Sequence, residues 1–158
     1  EIPEVKVNNG HDRNVLLAEK YPLRILLAED NLINLRLAEY VLQQMGYHAD
    51  SAENGKKAVE LAMENDYDLI LMDVEMPEMD GLDATRRIRE LEHEGAPRRH
   101  TPIVAMTAHA TSGFEQACRH AGMDGYVAKP VDKLTLIRAC ARLAKGRPSQ
   151  PDRPSRSA

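Results

Sequence analysis

Tryptophan is absent from this sequence, phenylalanine occurs once, and aromatic residues make up only 4% of the 158 positions. That scarcity, with no Gly-rich or Ser/Thr-rich phosphate loop after the first apolar run, leaves little with which to hold a flavin. The two cysteines, Cys118 and Cys140, could form at most one bridge. Neither belongs to a CxxC pair or stands near a His pair at zinc-ligand spacing, and both fall at apolar positions of helical patterns. They read as reduced core thiols of a cytosolic protein rather than a disulfide framework or a zinc site. No apolar run approaches the roughly 18 residues that cross a bilayer. No signal-peptide pattern opens the chain. It begins with Glu1 rather than Met, from which we expect a piece cut from something longer. At 42% hydrophobic and 29% charged, it fits neither a disordered chain nor a collagen-like fibre.

The net charge of −4 hides an uneven distribution. Residues 1–20 carry three basic and four acidic side chains, residues 145–158 four basic and one acidic, and residues 21–144 fourteen basic and twenty acidic. An acidic body argues against nucleic acid as a direct ligand. Residues 1–20 lack sustained periodicity and read as a linker, in which Val15-Leu16-Leu17 could add a helical turn. The tail 145–158 (KGRPSQPDRPSRSA) has almost nothing apolar, so it cannot offset chain entropy and is predicted to be disordered and basic. Residues 21–144 remain as the folded domain.

Within that domain the pattern alternates. Leu23 to Ala28, Asp68 to Met72 and Pro102 to Met106 are apolar runs of the kind buried on both faces of a sheet. Tyr47 to Ala52 and Gly125 to Ala128 add two more strands. Between them run helices: Asn31 to Met45, with Ile33, Leu37, Val41 and Met45 on one stripe and Gly46 as the stop, then Gly55 to Glu64 with Ala58, Leu61 and Ala62 inward. Gly81 to Leu91 aligns Ala84, Ile88 and Leu91. Phe114, Ala117, Cys118 and Ala121 repeat at helical spacing and Gly122 ends that helix, while Leu134, Ile137, Ala141 and Ala144 line a last one over 131–144. Five strands alternating with five helices predict an α/β fold, (βα)5, with a parallel sheet covered on both sides.

In such a sheet, chemistry gathers beyond the carboxyl ends of the strands. Glu29 and Asp30 follow the first strand, Asp73 ends the third, Thr107 the fourth, and Lys129-Pro130 follows the fifth. Each alone has an ordinary explanation, since Asp and Thr cap helices and Lys-Pro makes turns. Together they place three carboxylates, a hydroxyl and an ammonium on one edge. Two carboxylates about 5 Å apart repel by roughly 3 kcal/mol at an effective dielectric near 20. Three need a compensating cation or raised pKa values. An all-oxygen site with few protein ligands suits Mg²⁺, and a carboxylate beside it can form an aspartyl phosphate. Charge then developing on the phosphoryl oxygens needs donors, which the metal, a lysine and a hydroxyl would supply.

The motifs Ala28-Glu29-Asp30-Asn31, Met72-Asp73-Val74-Glu75-Met76-Pro77-Glu78-Met79-Asp80-Gly81, Ala105-Met106-Thr107-Ala108 and Ala128-Lys129-Pro130 resemble the response-regulator receiver (CheY-like) domain. The resemblance covers residues 23–144 and is strongest to receivers fused to hybrid sensor histidine kinases. It implies a flavodoxin-like, doubly wound five-stranded sheet in the order 2-1-3-4-5. It implies that Asp73 is the phosphoacceptor, that Glu29 and Asp30 organise Mg²⁺ with Asp73, and that Glu75 lends the metal its backbone carbonyl. Thr107 and Lys129 would contact the phosphoryl group, Lys129-Pro130 matches a bond usually cis in the family, and Tyr126 matches its aromatic switch. Thr107 would move toward the phosphoryl oxygens, leaving space that Tyr126 fills from a more exposed position.

The expected function is therefore that of a phosphorelay receiver, accepting a phosphoryl group from a histidine kinase or histidine-phosphotransfer domain and losing it by slow hydrolysis. It is a switch more than a turnover enzyme. A downstream protein or a second copy would meet the helix over 112–121, the fifth strand and the last helix. The resemblance places the domain in the cytoplasm, within a membrane-bound sensor kinase. Two alternatives remain: an inactive receiver serving as a docking module, which the complete set of site residues disfavours, and a Mg²⁺-dependent aspartyl-phosphate phosphatase. Phosphatases of the haloacid dehalogenase type carry their nucleophile after the first strand in a DxD pattern, whereas here it follows the third and position 75 is Glu. His109 and Glu75 flank the reacting carboxylate, His48 and His120 read as surface groups, and Arg98-Arg99-His100 as a solvated basic loop. The Met residues around the site read as packing.

Overall fold

The computed structural model describes residues 17–20, 22–95, 99–109 and 111–129, with 131, 132, 135, 136, 138 and 142 beyond them. Its elements are α1 (Leu17–Lys20), β1 (Ile25–Ala28), α2 (Leu32–Gln44), β2 (Ala49–Ala52), α3 (Gly55–Glu64), β3 (Leu69–Asp73), α4 (Gly81–Glu94), β4 (Ile103–Thr107), α5 (Ser112–Ala121) and β5 (Gly125–Ala128). Thr135, Leu136, Arg138 and Arg142 are helical as well. The five strands form one parallel sheet in the order β2-β1-β3-β4-β5. No helix among the described residues is long and apolar enough to cross a membrane.

The continuous apolar runs are explained by two cores. Side chains alternate across a strand, so a strand covered on both faces needs an apolar residue at every position. Ile25, Leu27, Leu69, Leu71, Val104 and Met106 face one layer with Ala38, Leu42 and Leu136. Leu26, Ala28, Ile70, Met72, Ile103 and Ala105 face the other with Ala58, Ala84, Ile88 and Cys118. Burial raises the Cys118 thiol above its ordinary range, which suits an inert core thiol. Cys140, Pro130, the four residues expected to line the last helix, and the tail lie outside the described residues. Of the expected linker, only Leu17–Lys20 is described; it forms one helical turn, tied to the end of α2 by Ala18 N–H donating to the Met45 carbonyl at 2.9 Å.

Local chemistry sets the helix ends. Asn31, Asn54, Asp80 and Thr111 cap α2, α3, α4 and α5 with side-chain oxygens that accept from amides of the first turn. Gly122 closes α5 at φ +103, a left-handed conformation that costs glycine nothing.

One expectation is refined. The stripe Ile33-Leu37-Val41-Met45 faces inward only over its second half: Met45 is buried and Val41 packs against the core, whereas Ile33 and Leu37 are 73% and 52% exposed, and Ala38 and Leu42 are buried beside the stripe. The helix is apolar on two faces, and the small Ala38 admits the closer approach to the sheet. Of the basic loop, Arg98 lies outside the described residues; Arg99 and His100 are exposed as expected, and they also pair, Arg99 with Asp66 at 2.7 Å and His100 with Asp124 at 2.6 Å.

Candidate functional site

Every expected site residue except Tyr126 sits at or just past the carboxyl end of a strand, and the backbone explains why their positions are fixed. Glu29 follows β1, and its amide donates to the Ala52 carbonyl of β2 at 3.0 Å. Asp73 is the last residue of β3, in register with Met106 of β4, so Thr107 lies one step beyond it on the next strand. Lys129 follows β5, and its amide donates to the Thr107 carbonyl at 2.7 Å. The sheet ladder thus continues past the last paired residues and carries the site with it. Behind Asp73, a Cβ on Gly81 would stand 2.1 Å from the Asp73 carbonyl oxygen, so only glycine lets α4 start there.

Glu29, Asp30 and Asp73 each offer a carboxylate oxygen within 4.8 Å of the others. Glu29 is 2% exposed and Asp73 4%, while Asp30 is open to solvent. Lys129 bridges the two buried acids, with Nζ 2.7 Å from Glu29 Oε2 and 2.9 Å from Asp73 Oδ2. The remaining oxygens take backbone donors: Asn31 N–H to Glu29 Oε1 at 3.1 Å and Glu75 N–H to Asp73 Oδ1 at 3.3 Å. Burial pushes the Glu29 carboxyl above its usual range, the bonds from Lys129 and Asn31 pull it back, and Asp73 adds to the rise. For Lys129 burial acts downward, but the bonds to Glu29 and Asp73 outweigh it and hold the ammonium above its ordinary value. The site is therefore a buried ion triad with one further exposed carboxylate, charged to excess on the anionic side.

Not every expected residue joins that triad. Thr107 is buried beside it, and its Oγ1 accepts from His109 N–H at 2.9 Å, which leaves the hydroxyl proton available to another acceptor. Tyr126 is 42% exposed and pairs in register with Ala105, two steps back from the edge. Glu75 is exposed, and its contribution within the described contacts is the amide donated to Asp73. The sequence reading missed that amide and the Lys129–Glu29 bond. Neither had a signal, because backbone donors are invisible to residue type and long-range ion pairs leave no spacing.

Residues 25–141 match the family model described as the response regulator receiver domain. Over 140 residues the chain is 37% identical to the signal transduction histidine-protein kinase BarA of Shigella flexneri, a match covering 86% of this chain and 15% of that protein. It spans about a sixth of the length of the curated histidine kinases it matches. Among solved structures it is similar to the receiver domain of a sensor histidine kinase from Pseudomonas aeruginosa, described with a magnesium ion coordinated in its active-site cleft. That match has a TM-score of 0.68 and 37% identity, covering 78% of this chain and 98% of the other. It is also similar to a chain in the co-crystal structure of the Saccharomyces cerevisiae histidine phosphotransfer protein Ypd1 with the receiver domain of its downstream response regulator Ssk1. There the TM-score is 0.71 and the identity 27%, covering 78% and 89%. With the sheet order, the acidic edge and a family match over most of its length, the chain belongs to the response regulator receiver domain family.

Proposed function

We propose that this domain takes a phosphoryl group from a phosphohistidine onto Asp73 and relays its presence through a change of shape. The observation that carries the reading is the Lys129 ammonium held between buried Glu29 and Asp73 at the carboxyl edge. In the transfer, an Asp73 carboxylate oxygen attacks phosphorus as the P–N bond of the phosphohistidine breaks. The electron pair of that bond stays on the imidazole nitrogen, and an acyl phosphate forms on Asp73. Lys129 is placed to follow the charge onto the phosphoryl oxygens, and the Thr107 hydroxyl to donate to another of them.

The donor set also fits Mg²⁺: three hard carboxylate oxygens, few in number, with Asp30 open to solvent. Glu29, Asp30 and Asp73 would hold the ion, with the Glu75 backbone carbonyl, and once bound it supplies charge neutralisation to the phosphoryl oxygens. Leu32, Ile33, Leu37 and Tyr40 leave an exposed apolar face on α2, which begins next to Glu29 and Asp30. This supports docking of the phosphohistidine-bearing domain there, since its imidazole must reach Asp73 while its body covers the adjoining helix. The exposed Tyr126 supports a switch in which Thr107 moves toward the phosphoryl group and Tyr126 turns inward. Helix α5, β5 and the last helix would then present the altered surface to a downstream protein or a second copy.

Incubation with phosphorylated kinase and histidine-phosphotransfer domains tests the reading, with loss of label from the donor and gain on this chain expected. A chain that stays unlabelled by every donor and by acetyl phosphate with Mg²⁺ would be a docking module instead. Amide shifts with beryllofluoride test the switch. They should spread from the edge to Tyr126 and α5, and shifts confined to the edge would refute it.

A further inference from the structure

The connection from β2 into α3 contains Asn54-Gly55, the pair in which a backbone amide most readily attacks the preceding side-chain amide, because glycine puts no side chain in the way. Packing and capping each dictate one member of the pair. A Cβ on residue 55 would stand 2.2 Å from the Met79 carbonyl oxygen, so that position takes only glycine. Residue 54 caps α3, its Oδ1 accepting the Lys57 amide at 2.8 Å, a task for Asn, Asp, Ser or Thr.

We propose that Asn54 is a site of spontaneous deamidation that the segment between β3 and α4 holds latched. The electrophile is already activated: the Lys57 amide bonds the oxygen on which negative charge would develop, and the positive end of α3 adds to that pull. The nucleophile is held back, because the Gly55 amide donates its proton to the Met79 carbonyl at 3.0 Å. Met79 belongs to residues 74–80, which follow Asp73 directly and contain Glu78 at φ +65, a strained left-handed conformation. When the latch lifts, the Gly55 nitrogen gives up its proton and bonds Asn54 Cγ. The Cγ–Nδ2 bond breaks, and Nδ2 leaves with a proton as ammonia. Water then opens the resulting cyclic imide. Attack at Cγ leaves aspartate, which still caps α3. Attack at the Asn54 main-chain carbonyl carbon leaves isoaspartate, whose backbone is one carbon longer and moves Gly55 off its contact with Met79.

The test is incubation of the whole chain in mildly alkaline buffer, followed by peptide mapping with mass spectrometry, since Asn9-Gly10 carries the same pair. The folded wild type should lose the Asn54 amide about ten-fold or more slowly than the same chain unfolded in guanidinium. Asp80→Ala removes the α4 cap beside the latch and should speed the loss, in step with faster hydrogen exchange of the Gly55 amide. Isoaspartate, read by methyl transfer from S-adenosylmethionine with an isoaspartyl methyltransferase, should appear at position 54 together with shifted Met79 and Asp80 amides. Asn54→Ser keeps a cap but has no amide to lose, and should give neither. Equal rates in the folded and unfolded chains overturn the latch. So does Gly55 exchange that rises in Asp80→Ala while Asn54 loss stays put. An unfolded chain that keeps Asn54 intact overturns the site itself. Should Asp80→Ala fail to fold or leave Gly55 exchange unchanged, the wild type in low guanidinium decides: deamidation must climb with Gly55 exchange, and a rate indifferent to it refutes the latch.

Discussion

The two ends of the sheet bury charge in opposite ways. At the amino ends of β4 and β5, Arg89 bonds the Gly122 and Thr101 carbonyls, both oxygens of buried Glu92, and Asp124. Glu92 also accepts the Thr101 amide, and Asp124 the Ile103 amide. That network is closed, with its donors and acceptors matched. At the carboxyl ends, three carboxylates face one ammonium, and one carboxylate looks into solvent. Buried charge that is fully partnered fixes a structure; buried charge left in excess waits for a cation. The same residue types thus form a clamp at one end and leave anionic charge in excess at the other.

Breaking the clamp should have the largest effect. Arg89→Met leaves Glu92 buried without its partner and should cost about 3 kcal/mol of stability, measured by urea denaturation. Mg²⁺ affinity of the folded protein should stay unchanged; a large fall would mean that the two ends are coupled. Gly81→Ala pushes a methyl into the Asp73 backbone, with the Asp73 carbonyl oxygen at 2.1 Å and the Val74 Cα at 2.9 Å. Backbone cannot swing aside as a flexible side chain can, so a loss of about 2 kcal/mol is expected, together with disturbed Asp73 amide shifts.

The ionisation of Glu29 gives a smaller, signed test. Burial raises its folded pKa above the usual value of 4.5, so the folded state holds this proton more tightly than the unfolded chain. Its contribution to stability is fully present below the unfolded pKa and is lost as pH rises through the folded pKa. The wild type should therefore lose stability relative to Glu29→Gln as pH climbs from about 4.5 toward neutrality. Parallel stability curves for the two proteins would show that Lys129 cancels the burial effect. Smallest of all, His100→Ala at the exposed rim of the clamp removes one contact to Asp124 and should change stability by less than about 1 kcal/mol.

The clamp was also the part of the molecule least legible in the sequence. Within residues 85–94 (TRRIRELEHE), nothing in the spacing tells Arg89 from Arg86 and Arg87. The latter two make exposed pairs one turn along, while Arg89 reaches across to Gly122 and Asp124. By contrast the strands were legible, since Leu26 and Leu27, or Ile70 and Leu71, must both be apolar only when both faces are covered. The site was legible for a related reason: the strand-end rule converts order in the chain into nearness in space, so Glu29, Asp73 and Lys129 could be grouped before their distances were known. Helix α2 shows the limit. Leu32, Ile33, Leu37 and Tyr40 are as apolar as Leu42, and periodicity alone does not say which stripe meets the sheet.

The central claim, that Asp73 at the carboxyl edge receives a phosphoryl group, has a direct test. The chain is exposed to acetyl phosphate with Mg²⁺, and the modified residue is located by mass spectrometry after borohydride trapping of the acyl phosphate. The account predicts one labelled position, Asp73, with the label absent from Asp73→Asn although its amide spectrum remains that of a folded protein. Label on Asp30 or on a serine or threonine, or label that persists in folded Asp73→Asn, would contradict it.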